Sequence, residues 1–358
     1  MIKTYVLVDC SVPINTRNQK IIDTLYKYYP NSQIYVITWN RELCELPLKQ
    51  GYYYNYKAPL ADPIAKIRGM FGYRKFIHDC LRQINPDVII ASHWSNLVLV
   101  ADYKKDNQVL VYENLDVPTG NKFIRCISRI WEFRALKKVD LIIFASRFFK
   151  ELYPKNHRCI VLENKPAFTA KCKRDIPQCP LKISFIGSVR YKEILSNLVQ
   201  AVKDDSRVEL YFYGDGEDLP YMKTLCKGSK NIFFSGRYDY DMVEQLYHQS
   251  HVVWAAYPNK DYNVVYAISN KFHESLYLGV PCIYSNNTRL ADYVQEHNIG
   301  LIVDPYNVSA IKCMIDEICE GEIDLNKIVM SINEYKNNET SWDEDFRSLI
   351  NYFDSYAR

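Results

Sequence analysis

The sequence predicts an α/β protein made of two Rossmann-like, doubly wound parallel-sheet domains, and three observations lead there. Short apolar runs alternate with longer amphipathic stretches along the whole chain, the pattern of strand–helix–strand units. That alternation breaks over residues 164–180, where three prolines and a polar, basic composition fit neither periodicity. The length, 358 residues, exceeds what one hydrophobic core usually serves and suits two domains.

In chain order, the apolar runs predict strands at Thr4–Val8, Gln33–Thr38, Val88–Ala91, Val109–Tyr112, Leu141–Phe144 and Cys159–Leu162. Between them, helices are predicted at Asn18–Tyr28, Pro63–Gln83, Ser95–Lys104, Asn121–Lys138 and Arg147–Leu152. The second half repeats the grammar, with strands at Ile183–Ile186, Val208–Tyr213, Ile232–Phe234, Val252–Ala255, Cys282–Tyr284 and Leu301–Val303. Only the architecture recurs; no sequence repeat links the halves. The domains are expected over 1–165 and 181–341, with 166–180 as linker. Open parallel sheets bind ligands beyond the carboxyl ends of their strands, so the two are expected to face a common cleft.

Composition narrows the function classes. Hydrophobic residues make up 48% and charged residues 24%, as in ordinary globular proteins, and no apolar run approaches the roughly 18 residues of a membrane span. The N-terminal apolar stretch is too short for a signal peptide and reads as a strand, which places the chain in the cytoplasm. Eleven cysteines include no Cys-x-x-Cys pair; Cys172 with Cys179 and Cys313 with Cys319 lack zinc-ligand spacing, so reduced, mostly buried thiols are expected. The net charge of +3 is uneven: residues 1–165 hold 25 Lys and Arg against 15 Asp and Glu, the remainder 20 against 27. The first half should meet something anionic. No nucleic-acid motif accompanies that charge, so nucleic acid is not expected; an anionic membrane surface or a lipid-diphosphate acceptor fits.

The densest motif runs from Ser269 to Ser285. Asn270 is placed to cap a short helix that ends at Gly279, with Pro281 forbidding continuation and a buried strand following. Lys271 and Glu274 fall in the first helical turn, and helical side chains lean towards the N-terminus. A cation, a carboxylate and free backbone N–H groups therefore converge, which suits a diphosphate joined to a ribose.

Read as N-K-hydrophobic-x-E-x-L-x-x-G-x-P-x-I, this segment resembles the nucleotide-sugar motif of family 4 glycosyltransferases with the GT-B fold, and the resemblance extends over nearly the whole chain. It implies an enzyme moving a sugar from a nucleoside-diphosphate sugar, UDP or GDP, without a metal or other cofactor. It makes Glu274 the ribose ligand and Lys271 and Asn270 diphosphate ligands, joined by Arg190 in the loop Gly187–Glu193 and by Lys192, closer to Arg190 than the usual partner. Ser235, Gly236 and Arg237 match a stretch near the nucleobase, and Gly214-Asp215-Gly216 the second-strand turn. It also implies that the last helix, about 342–358, packs back on the first domain. One departure stands out: the family's first glutamate, eight positions before Glu274, is Tyr266 here.

On the acceptor side, the loop Asp9–Asn18 lacks the glycine-rich turn of dinucleotide-binding proteins, and Arg17 is a candidate for an anionic acceptor. His93, Glu113 and Asp116 closely follow strands and are candidate proton acceptors. Helix Pro63–Gln83 interleaves Lys66, Arg68, Arg74 and Lys75 with large apolar residues, as a membrane-surface helix would; the basic stretch Arg125–Lys138 is the next candidate. Asp239-Tyr240-Asp241 has the form of a metal-binding Asp-x-Asp but is expected to begin a helix. The leading function is transfer to a saccharide acceptor, lipid-linked and at the inner membrane face, in surface polysaccharide or glycan synthesis. A sugar-nucleotide epimerase of the same fold and a non-catalytic partner subunit are the alternatives.

Overall fold

The structure, a computed structural model, describes residues 3–45, 51–59, 62–166 and 180–356. The linker expected at 166–180 lies, but for its end residues, outside the described residues, as do Cys172 and Cys179. The chain divides into two compact units, Met1–Glu163 with Asp343–Arg358, and Asn164–Trp342.

The first unit is built on seven strands: β1 (Thr4–Asp9), β2 (Gln33–Asn40), β3 (Gly51–Asn55), β4 (Val88–Ser92), β5 (Val109–Asn114), β6 (Leu141–Phe144) and β7 (Cys159–Val161). They pair in the order β3-β2-β1-β4-β5-β6-β7, all parallel. Central β1, β4 and β5 are buried on both faces, which is why they read as unbroken Val, Ile and Leu runs. Strand β3 was not foreseen. Its sequence Gly-Tyr-Tyr-Tyr-Asn is half-exposed at the sheet edge and has neither an apolar run nor alternation. The strand order reverses between β1 and β4, the switch point where such sheets bind ligands.

Two further differences concern helices. The helix expected at Ser95–Lys104 stops early, spanning Trp94–Val100, and Arg147–Leu152 is a 3-10 helix. Helix Pro63–Ile84 carries Gly69 and Gly72 despite their poor propensity because nothing larger fits: a Cβ on Gly69 would lie 2.2 Å from the Trp39 ring, and one on Gly72 2.0 Å from the Tyr54 hydroxyl. The helix thereby lies down on Trp39 and Tyr54, against which it sets its own Tyr73. The segment from Asp343 onward, most of the helix Trp342–Ser355, belongs to this unit, burying Phe346, Leu349 and Phe353 and pairing Asp343 with Lys27 and Asp354 with the Tyr29 hydroxyl, each at 2.7 Å.

The second unit holds β8 (Leu181–Ile186), β9 (Val208–Tyr213), β10 (Ile232–Gly236), β11 (Val252–Trp254), β12 (Cys282–Ser285) and β13 (Leu301–Val303), again all parallel, in the order β10-β9-β8-β11-β12-β13. Its switch point lies between β8 and β11. Helices on both faces complete a core of Ile183, Leu198, Leu210, Trp254, Ile283 and Ile315. No described helix is long and apolar enough to cross a membrane.

Candidate functional site

In the second unit the loops after β8, β9 and β10 are laced by their backbones. Gly187 N–H donates to the Tyr213 carbonyl, Val189 N–H to Asp215, and Gly214 N–H to Gly236, at 2.7–2.8 Å. Such closeness excludes side chains: a Cβ on Gly214, where φ is +136°, would lie 1.9 Å from the Gly187 carbonyl oxygen. A cavity of about 390 Å³ opens on these loops, with Gly187, Gly214, Arg237 and Tyr238 in its wall. Strand β10 has a register irregularity between Phe234 and Gly236, leaving Ser235 out of the ladder and exposed beside Gly236 and Arg237.

Lys271 reaches the switch point of this sheet. Its ammonium donates a 2.8 Å hydrogen bond to the hydroxyl of Tyr257, just beyond β11, and lies 3.2 Å from where a Cβ of Gly187, just beyond β8, would stand. Phe185 and Tyr257 rings are each 5.3 Å away. Burial works against this charge, but the Tyr257 hydroxyl and the Glu274 carboxylate outweigh it, and Lys271 is held above the usual lysine range. Glu274 is buried one turn on and accepts a 2.8 Å hydrogen bond from Tyr247; burial raises its pKa, while Lys271 and Tyr247 oppose the rise.

The helix itself, Asn270–Leu278, corrects one expectation. Its N-cap is Ser269, not Asn270, because Ser269 keeps extended dihedrals and Asn270 is already helical. The Asn270 side chain instead accepts a 3.1 Å hydrogen bond from Asn164. Ser269 supplies no side-chain cap, and its buried hydroxyl meets no partner among the described residues. Gly279 ends the helix in the left-handed conformation, φ +66°.

Arg190 is exposed, its guanidinium 4.8 Å over the Tyr191 ring, which meets Tyr257 edge-on. Lys192 does not join it: its ammonium sits 3.6 Å over the Tyr221 ring. Tyr266 ends the short helix Tyr262–Tyr266, with the Arg289 guanidinium 5.9 Å from its ring. Asp239 precedes a 3-10 turn, Tyr240–Met242, and among the described residues no group of His, Cys, Asp and Glu could hold a metal ion.

In the first unit the structure brings two of the candidates together. Arg17 and Glu113 are not open to an acceptor; they pair with one another, Nε to Oε1 2.7 Å, at 4% and 0% exposure. Burial raises the Glu113 pKa, and Arg17 opposes that rise. Around the pair, Asp9 accepts from Cys10 N–H, Asn15 N–H and the Asn18 amide and so shapes the loop after β1.

His93 lies just past β4 with φ +75° and ψ 146°, a conformation that favours glycine. Its Nδ1 lies 3.3 Å from Ser95 N–H, which donates to it, and 2.9 Å from the Ser95 hydroxyl. Burial, with Lys66 and Arg41 adding to it, pushes its pKa down to about 4. The direction of the Ser95 hydroxyl contact sets which ring nitrogen carries the proton, and Nε2 is the edge left for a ligand. Asp116 is the exposed carboxylate of the three candidates.

Sequence reasoning missed Tyr257, Tyr247 and Tyr238. Tyr257 had a signal, its place two residues beyond a predicted strand; the other two lie among 30 tyrosines with nothing to mark them.

Residues 169–336 match the family described as glycosyl transferases group 1. No curated protein sequence matches the chain. Among solved structures, a sucrose-phosphate synthase from Thermosynechococcus elongatus superposes with a TM-score of 0.74 at 12% identity, covering 99% of this chain and 98% of that one. HepE from Anabaena, in complex with UDP, gives 0.70 at 13% identity, covering 99% and 100%. A putative UDP-N-acetylglucosamine 2-epimerase from Listeria monocytogenes gives 0.66 at 11%, covering 99% and 97%. The two parallel sheets and these superpositions give the chain the GT-B fold, and residues 169–336 are similar in sequence to the glycosyl transferases group 1.

Proposed function

We propose that the protein transfers a sugar from a nucleoside-diphosphate sugar to a saccharide acceptor carried on a lipid. The observation that carries this reading is the position of Lys271: a buried ammonium at the switch point, beside a glycine turn and an uncapped helix N-terminus, with Glu274 one turn away. An anion at that point would meet the ammonium and the positive end of the helix together, and could engage the partnerless Ser269 hydroxyl. Glu274 would hold ribose hydroxyls, Arg190 a diphosphate oxygen, and the Ser235–Arg237 edge the base. Because these cations and the helix supply the positive potential, the reaction is metal-independent in this reading.

In the first unit, Asp116 and the Nε2 edge of His93 remain as groups for acceptor or donor sugar. The match of residues 169–336 to glycosyl transferases group 1 and the UDP-bound HepE structure support the nucleotide-sugar donor. Calorimetric titration with UDP and GDP, with and without EDTA, followed by a panel of sugar nucleotides, tests the reading. Loss of binding in EDTA would refute metal independence. Turnover of UDP-sugar without acceptor would favour the epimerase; nucleotide binding with no turnover across the panel would favour a non-catalytic subunit, an outcome to which Tyr266 lends weight.

A further inference from the structure

Helix Lys122–Leu136 wears its hydrophobic face outward. The residues it buries are Ser128, Glu132, Ala135 and Leu136, whereas Phe123 is 73% exposed, Trp131 53%, and Ile124, Ile127 and Ile130 between 40% and 51%. At 100° per residue these five apolar side chains form one stripe. The helix is held down by polar contacts instead. Glu132, fully buried, accepts from Tyr112 at 2.7 Å, from Tyr153 and from Arg129 at 2.8 Å, and Asn114 donates to both tyrosine hydroxyls. The inner face is thus satisfied without the apolar residues, which leaves the outer stripe unexplained by folding.

The exposed charges of this helix and its C-terminal end, Lys122, Arg134, Lys137 and Lys138, are all positive, and its single acid is the enclosed Glu132. We propose that this outward face seats in the interfacial layer of an anionic lipid bilayer and is the main anchor of the protein to it. Large aromatic and β-branched side chains flanked by cations are the composition of an interfacial helix, and Trp131 suits the headgroup boundary. A second copy of the chain fits less well, since a two-fold contact through this face would set its cations against their equivalents. Helix Pro63–Ile84 adds Ile64, Ile67 and Phe71, exposed in its first turns. Both helices enter from the carboxyl ends of parallel strands and flank the helix Trp94–Val100, so their first turns share one edge of the domain. The inference does not depend on sugar transfer.

Sedimentation of the full chain with vesicles of phosphatidylcholine, alone or mixed with phosphatidylglycerol, tests it without any donor. Binding is expected only with the anionic lipid and should be lost in 1 M salt, where the Debye length is about 3 Å. The double variant Ile127→Gln/Trp131→Gln should lower the bound fraction about five-fold or more, and Ile64→Gln/Phe71→Gln by less. These side chains are exposed, so thermal melting should match the parent. Unchanged binding by the first variant, or equal binding to neutral vesicles, overturns the proposal. So does a concentration-dependent dimer that the Trp131→Gln change abolishes.

Discussion

The Lys271 ammonium and the Tyr257 hydroxyl, 2.8 Å apart, join a helix to the end of β11 at the point where the second sheet reverses its strand order. The contact fixes where a buried positive charge stands before any ligand arrives, so the ordering of a long side chain is not charged against binding.

Lys271→Met should therefore abolish most nucleotide affinity. A charge-assisted contact of this kind contributes about 1.5–3 kcal/mol, roughly ten- to a hundred-fold in Kd. Calorimetry with UDP and GDP measures it. A loss below three-fold would leave Lys271 a structural residue.

Glu274→Gln keeps an acceptor for Tyr247 and nearly the same volume; it removes one charge that holds Lys271 above the usual lysine range, but the Tyr257 hydroxyl stays, so the fold should persist at modestly lower stability. Nucleotide affinity should fall by a similar factor, because a neutral amide accepts hydrogen bonds from ribose hydroxyls less strongly than a carboxylate does. Equal affinity would confine Glu274 to its contact with Tyr247.

Glu113→Gln has the opposite signature. It leaves the Arg17 guanidinium enclosed without its countercharge, a change that costs about 3–5 kcal/mol. Urea denaturation should show that loss, and the double change Arg17→Met/Glu113→Leu should recover much of it. A catalytic base would instead lower turnover at constant stability.

His93 predicts a pH effect of definite sign. Its folded pKa, about 4, lies below the unfolded value of roughly 6.5, so the unfolded chain takes up the extra proton between them. The stability linked to His93 is complete above about pH 6.5 and is lost as pH falls towards 4. Glu113, its pKa raised by burial, acts in the reverse sense in acid, so the His93 part must be isolated by substitution. His93→Gly should remove that slope from the stability–pH curve. It should change stability at pH 7.5 by only about 1 kcal/mol, because relief of the positive φ offsets the lost contact with Ser95. Turnover should fall sharply if the Nε2 edge faces substrate.

How far these features could be read in advance depends on their physics. Strand runs such as Val109–Tyr112 announce themselves because burial on both faces leaves no polar position. The Gly279–Pro281 stop is equally local. The Arg17–Glu113 pair joins residues 96 apart and depends on β5 lying two strands from β1, an adjacency that no local pattern records. The outward stripe of Phe123, Ile127 and Trp131 was hidden for another reason. Helical spacing shows that apolar residues share a face but not whether that face turns inward, and here a buried Glu132 reversed the usual answer.

The first unit takes its last sixteen residues, Asp343–Arg358, from beyond the second. Its seven strands emerge early from the ribosome, yet Phe346, Leu349 and Phe353 complete its core only after the whole second unit has been made. The later-encoded unit is thus the first to have all its parts, reversing the usual N-to-C order of domain completion. A truncation before Asp343 would act as a lesion in the first unit, not the second.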